Sequence, residues 1–310
     1  MTSLERLHRD QLGELDQIGK GGQARVYLVR GLKVPNERGP FVFKEYKDKR
    51  ISIGGLDGIA GFRYRLTDYD RAVLDTLTNW PQRVVEAATG GTDGVIIPLI
   101  PDDFFHEIRR PDGSRKRLPR DGQYLAQPDE RCRRVGLSMV GLGDRYRICR
   151  DLALAIGFLH KRDVCVGDIS FNNFTYHLGV SPCVYLVDCD AFRLKGQAPV
   201  VPQLHTPDWI PPEGSKVQSA RTDEYKLGLF ILRVLAPREL SAQNRNPAWA
   251  DGALDPRGRY MLRKALGTDR ARDRTSPKEW LTYFNDVLKR GALKTTPNTS
   301  RMPPRSAEAA

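Results

Sequence analysis

Four groups in this sequence have the types and spacing of phosphate and metal chemistry. Gly19-Lys20-Gly21-Gly22-Gln23-Ala24-Arg25-Val26 lies between two strand-like stretches. Glycines in such a turn let backbone amides approach phosphate oxygens without side-chain obstruction. Gly19, Gly21, Gly22 and the flanking Val26 are therefore candidate nucleotide contacts. Lys44 closes the run Phe41-Val42-Phe43-Lys44. An alternating strand sets Val42 and Lys44 on one face, where the ammonium can pair with α- and β-phosphates. Asp168 is followed five residues later by Asn173, with Asn172 beside it. Twenty residues beyond Asp168, the apolar run VYLV delivers Asp188. A carboxylate there can chelate magnesium bridging the β- and γ-phosphates, with Asp190 of the same Asp-Cys-Asp run as the alternative ligand. A plain hairpin turn, a solvated lysine and a lone DxD on a loop are the competing readings, taken one by one.

These groups need elements to carry them. Residues 13–29 read as strand, glycine turn and strand, and 41–46 as a third strand. A glycine-rich loop is expected at 52–61. Residues 67–80 have helical spacing through Val73, Leu74 and Leu77 and stop at Pro81. Asp70 falls on their inward face, which makes it the candidate acidic partner of Lys44. GVIIPLIP (94–101) reads as a short buried strand. The polar stretch 104–134 carries the turn signal Pro111-Asp112-Gly113, so an exposed hairpin is expected. Residues 143–160 form a long amphipathic helix. Two short strands around a loop follow, then a proline-rich segment without periodicity at 193–213. Residues 223–235 are apolar enough for a buried helix, and the last helices lie near 257–266 and 276–290. A strand-rich part followed by a helical part predicts an α+β chain in two lobes.

Taken together these motifs resemble the protein-kinase superfamily. Gly19–Val26 resembles its GxGxxGxV loop, with Ala24 at the third glycine. Asp168-Ile169-Ser170-Phe171-Asn172-Asn173 resembles its catalytic loop. His205-Thr206-Pro207-Asp208-Trp209-Ile210-Pro211-Pro212-Glu213 resembles the end of its activation segment, and Asp223-Glu224-Tyr225-Lys226-Leu227-Gly228 the start of its central helix. The resemblance covers roughly residues 13–285. Its VGD, DCD and TPxxxPPE variants look closest to atypical bacterial serine/threonine kinases, some found with von Willebrand-type and phosphatase partners.

The resemblance implies a two-lobed protein-kinase fold, with an extension at 1–12, an N-lobe at 13–101, a C-lobe at 102–290 and a disordered tail at 291–310. It implies ATP and Mg2+ as cofactors and a protein serine or threonine hydroxyl as acceptor. Catalysis would fall to Asp168, Lys44, Asn173 and Thr206, with Asp168 meeting the acceptor hydroxyl and Thr206 hydrogen-bonding Asp168. Asn173 and Asp188 would hold the metal, and Gly19, Gly21, Gly22, Val26, Val42, Lys44 and Asp70 would line the nucleotide site. Glu213 and Arg274 would form a structural ion pair. Two rivals remain: a small-molecule kinase of the aminoglycoside or choline type, and a non-catalytic pseudokinase scaffold.

Several positions depart from the family pattern. Val166 and Gly167 replace the histidine and arginine before the catalytic aspartate, and Ser170 replaces a lysine. The segment Cys189–His205 contains no serine, threonine or tyrosine. The missing arginine and the missing hydroxyls agree, and predict an enzyme not switched by activation-loop phosphorylation. Pro98 and Pro101 lack amide donors, so adenine would be read by backbone near Leu99 to Asp102. Cys189, beside the metal site, reads as a packing residue, with an oxidisable thiol as the lesser alternative, and His160 as a structural residue.

Composition bounds the rest. With 310 residues the chain can bury more than one small core. No apolar run is long enough to span a bilayer, and the first residues lack an apolar signal core. Five cysteines without CxxC spacing argue against a disulfide frame or zinc site and for a reducing cytoplasm. A net charge of +12 reads first as a basic solvated surface and otherwise favours acidic protein faces, nucleotide phosphates or weak non-specific nucleic acid, and no signature for specific nucleic-acid binding is present. Arg109, Arg110, Arg115, Lys116, Arg117 and Arg120 concentrate that charge in the 104–134 insert.

Overall fold

A computed structural model describes residues 5–295, apart from 36, 38, 49–50, 89, 198, 201–205, 215, 217, 239–242 and 268–272 and the side chains of 292–295. The expected tail beyond 295 lies outside the described residues. The chain is mixed α+β, with a six-stranded sheet near the N-terminus and helices later.

The sheet contains β1 (Leu7–His8), β2 (Leu15–Lys20), β3 (Ala24–Val29), β4 (Phe41–Tyr46), β5 (Arg83–Glu86) and β6 (Thr92–Pro98), in the order β1-β5-β6-β4-β3-β2. Alternation in the central strand β4 explains its two faces. Phe41 and Phe43 point to a small core with Leu12, Val29, Val85 and Ile96. Val42 and Tyr46 point to the main core, and Lys44 shares their side. Residues 7–12, within the expected extension, pack on the small core. Leu7 and His8 pair in parallel with Val85 and Glu86, and Leu12 is buried.

The glycine-rich stretch expected as a loop is the helix α1 (Ile53–Tyr64). Ser52 caps it by accepting a hydrogen bond from the Gly55 amide. Its glycines permit close approach of the segment near residue 200. A Cβ on Gly58 would lie 1.8 Å from the Gln197 side chain, and one on Gly55 would lie 3.1 Å from the Val200 Cα. Tertiary contact thus overrides poor helix propensity. The next helix, α2 (Asp68–Leu77), is capped by Thr67 and ends where Thr78 turns extended, before Pro81.

The hairpin β7 (Phe105–Arg109) and β8 (Arg115–Pro119) forms around the predicted turn, where Asp112 accepts hydrogen bonds from the Ser114 amide and hydroxyl. After the short α3 (Asp129–Arg134) come α4 (Leu142–His160), α5 (Ala220–Leu235), α6 (Pro256–Leu266) and α7 (Pro277–Thr295). The last runs to Thr295, past the expected start of the tail. Every residue of α5 from Thr222 to Leu235 is buried; the helix packs between α4 and α6. Between α4 and α5 lie two small antiparallel pairs. One joins β9 (Val164–Cys165) to β12 (Arg193–Leu194), the other β10 (Phe174–Tyr176) to β11 (Val184–Leu186). They frame the loops that carry Asp168 and Asp188. Among the described residues no helix is long and apolar enough to cross a membrane.

Candidate functional site

Lys44 and Asp188, far apart in sequence, meet. The Lys44 Nζ donates to Asp188 Oδ1 at 2.8 Å and to Asp190 Oδ1 at 2.7 Å. Tyr46, two residues along the same face of β4, donates its hydroxyl to Asp190 Oδ2 at 2.6 Å. Burial works against the charged lysine, but the two carboxylates outweigh it and raise its pKa. Lys44 in turn draws the Asp188 carboxyl below its usual value, and burial followed by the Asp190 charge pushes the Tyr46 phenol up. Asp188 takes a left-handed backbone with φ of 58°. The tight turn Cys189–Ala191 begins there and returns Asp190 to Lys44.

The expected pairing of Lys44 with Asp70 does not occur. Asp70 sits in the first turn of α2, and its carboxylate is taken by Arg162, just beyond α4. That hydrogen bond holds its carboxyl below the ordinary value. The partner expected from the helix comes instead from the strand exit, as Asp190.

The glycine turn connects β2 and β3, with Gly19 opposite Val26 and the Gly21 amide bonded to the Ala24 carbonyl at 2.9 Å. Gly21 and Gly22 are exposed, and their carbonyls accept hydrogen bonds from the Lys47 ammonium. Val26 lies directly across from Lys44 in the β3–β4 ladder, and Val42 is buried on the Lys44 side.

Asp168 is held from several directions. The Thr206 amide donates to its Oδ1 at 2.9 Å, and the Thr206 hydroxyl lies 3.2 Å from both carboxylate oxygens. The Asn173 Nδ2 donates to the Asp168 carbonyl at 2.6 Å and to Oδ2 at 3.0 Å. The Asn173 carbonyl accepts from the Val187 amide at 3.0 Å, which brings Asn173 beside the strand exit carrying Asp188. Asn172 faces the other way, is exposed, and accepts from Gln123.

The base of this loop rests on α5. Asp223 accepts from the amides of Val166 at 2.8 Å and Gly167 at 2.9 Å, and His160 Nε2 lies 2.9 Å from it. Gly167 has φ of 77°, which favours glycine, and a Cβ there would come within 2.7 Å of the Gln218 side-chain amide, which would have to shift. Gln218 in turn accepts from Arg193 Nε at 2.5 Å. Cys189 is buried, and burial pushes its thiol pKa well up, which marks a packing residue over a reactive one.

Sequence reasoning missed Tyr46, which donates to Asp190, and Lys226, whose ammonium donates to the Gly167 carbonyl beneath the Asp168 loop. Tyr46 was legible from strand alternation with Lys44. Lys226 was legible from its place three residues after Asp223, on one face of a helix. No group of three or more histidine, cysteine or acidic side chains suited to a metal is present among the described residues. Asp188 and Asn173 offer a carboxylate and an amide oxygen, a small hard-oxygen set that fits magnesium completed by water and phosphate. No protein-family model and no curated protein matches the chain.

Proposed function

We propose that the protein is an ATP- and magnesium-dependent kinase of the two-lobed protein-kinase type, transferring phosphate to a serine or threonine hydroxyl of a protein. One observation carries this reading: Lys44, Asp168, Asn173 and Asp188, drawn from one strand and two loops, form a linked constellation with Thr206. In it the glycine turn and Lys44 bind the triphosphate, while Asp188 and the Asn173 amide oxygen hold the metal. Magnesium, when bound, neutralises charge on the transferring phosphoryl group. Asp168, fixed by Thr206 and Asn173, orients the acceptor hydroxyl and takes its proton. The rest of the catalysis is positioning.

The loop bearing Asp168 is braced from within the protein by buried groups of the central helix. Gly167 stands in place of the phosphate-binding arginine and is packed by Gln218, while Asp223 fixes the amides on either side of the Val166 α-carbon. This supports a kinase that needs no activation-loop phosphorylation; residues 201–205 of that segment lie outside the described residues. All five cysteines are free thiols, which suits action in the cytoplasm. The basic hairpin β7–β8 suits an acidic protein substrate.

Transfer from radiolabelled ATP to protein, sugar and amine acceptors tests the reading. The wild type is expected to label protein. Asp168→Asn should lower transfer by about 10³-fold with the fold and MgATP affinity retained. Labelling of sugar or amine acceptors alone would move the assignment to a small-molecule kinase. MgATP binding without transfer to any acceptor would make the protein a scaffold.

A further inference from the structure

We propose that Lys226, on the central helix α5, is the positioning residue that sets Asp168 from beneath the loop; the assignment rests on the kinase reading and deepens it. The Lys226 Nζ donates to the Gly167 carbonyl at 2.7 Å and lies 3.8 Å from Asp168 Oδ1. That carbonyl belongs to the peptide immediately before the Asp168 α-carbon. The preceding peptide is held through its N–H by Asp223, one turn earlier on the same helix. Two successive peptides are thus clamped by an aspartate and a lysine spaced three residues apart, which a helix sets on one face.

Lys226 is completely buried, so it cannot touch a substrate, and its effect must pass through the loop. Burying an ammonium is unfavourable without hydrogen bonds and opposite charge. Asp168 supplies a carboxylate at close range and the Gly167 carbonyl supplies the hydrogen bond. The loop itself carries no cation: Gly167 and Ser170 occupy the two positions where the resemblance leads one to expect arginine and lysine, and the buried Ser170 Oγ has no partner among the described residues. The positive charge near Asp168 comes from the helix below.

Lys226→Met keeps the chain length and apolar burial while removing donor and charge. Its kcat for protein phosphorylation is expected to fall about a hundredfold, with MgATP affinity and ATP KM near wild type. Because Lys226 acts through Asp168, adding Lys226→Met to Asp168→Asn should lower kcat little further, a non-additivity that a merely structural residue would not show. Should Lys226→Met not fold, Lys226→Gln, which retains a donor without the charge, carries the same comparison. A folded Lys226 variant with wild-type kcat, or losses that simply multiply in the double variant, would overturn the assignment while leaving the kinase reading intact. A wild type that transfers no phosphate would overturn both.

Discussion

Lys44 is shared between two carboxylates of different exposure, and that difference assigns them different work. The Asp190 side chain is 5% exposed and also receives the Tyr46 hydroxyl, whereas the Asp188 side chain is 54% exposed. Asp190 is therefore the fixed anchor of the lysine, and Asp188 the carboxylate open to a metal. Removing Asp190 takes away the buried partner of Lys44 and leaves only the half-exposed Asp188 to balance the ammonium. Asp190→Ala should cost about 3 kcal/mol in urea unfolding, and Tyr46→Phe only about 1 kcal/mol. Equal losses in the two variants would mean that the phenol, not the ammonium, fixes Asp190. At this scale the sequence was informative about Lys44 and Asp188 because each directly follows an apolar run and has few places to go. It misassigned the partner because helical register names the inward face of α2 but not the neighbour that its first turn meets. Arg162, outside any periodic pattern, took Asp70.

At the scale of elements, strands and amphipathic helices were legible from alternation and spacing, since burial on one face leaves its period in the sequence. The helix α1 was not. Four of its residues are glycine, and what stabilises it is the segment near residue 200 that the glycines admit, a contact with no local signature. The hairpin β7–β8 was legible as a turn, but not the burial of His106 on its inner strand. His106 is buried, its Nε2 lacks a partner among the described residues, and burial followed by the Arg120 charge pushes its pKa down to about 4. The folded protein thus keeps this imidazole neutral, while the unfolded chain protonates it near pH 6.5. Between those values the unfolded state binds more protons, so stability falls as pH drops from neutrality toward 4. The urea midpoint should decrease more steeply over this window in the wild type than in His106→Gln. Parallel pH dependences would show that His106 is already charged in the folded protein.

At the scale of the molecule, the parts are tied by charged groups that cross between elements, and Arg274 is a deeply enclosed one. It lies between α6 and α7, its side chain has no solvent exposure, and its guanidinium carbon sits 5.0 Å from the Tyr225 ring centre on α5. Its Nη1 donates to the Glu213 carboxylate and, at 2.9 Å, to the Arg221 carbonyl. Its Nε and Nη2 have no partner among the described residues. Glu213 is the carboxylate hydrogen-bonded to this buried cation, and through it the segment following Thr206 is fastened to the helical part. The sequence pointed to this pair only through the resemblance, since nothing local to either residue joins them. Glu213→Gln keeps the shape of the side chain and strands the arginine, so it should destabilise by about 3 kcal/mol. Arg274→Met leaves Glu213, whose side chain is 26% exposed, able to regain water, and its cost should come mainly from lost packing. In the double variant neither member of the pair is left without the other, so unfolding measurements should give a loss smaller than the sum of the two. Strict additivity would mean that Glu213 contributes nothing to holding Arg274, and that the segment is fastened instead by the Arg233 and Arg245 hydrogen bonds to the Asp208 carbonyl.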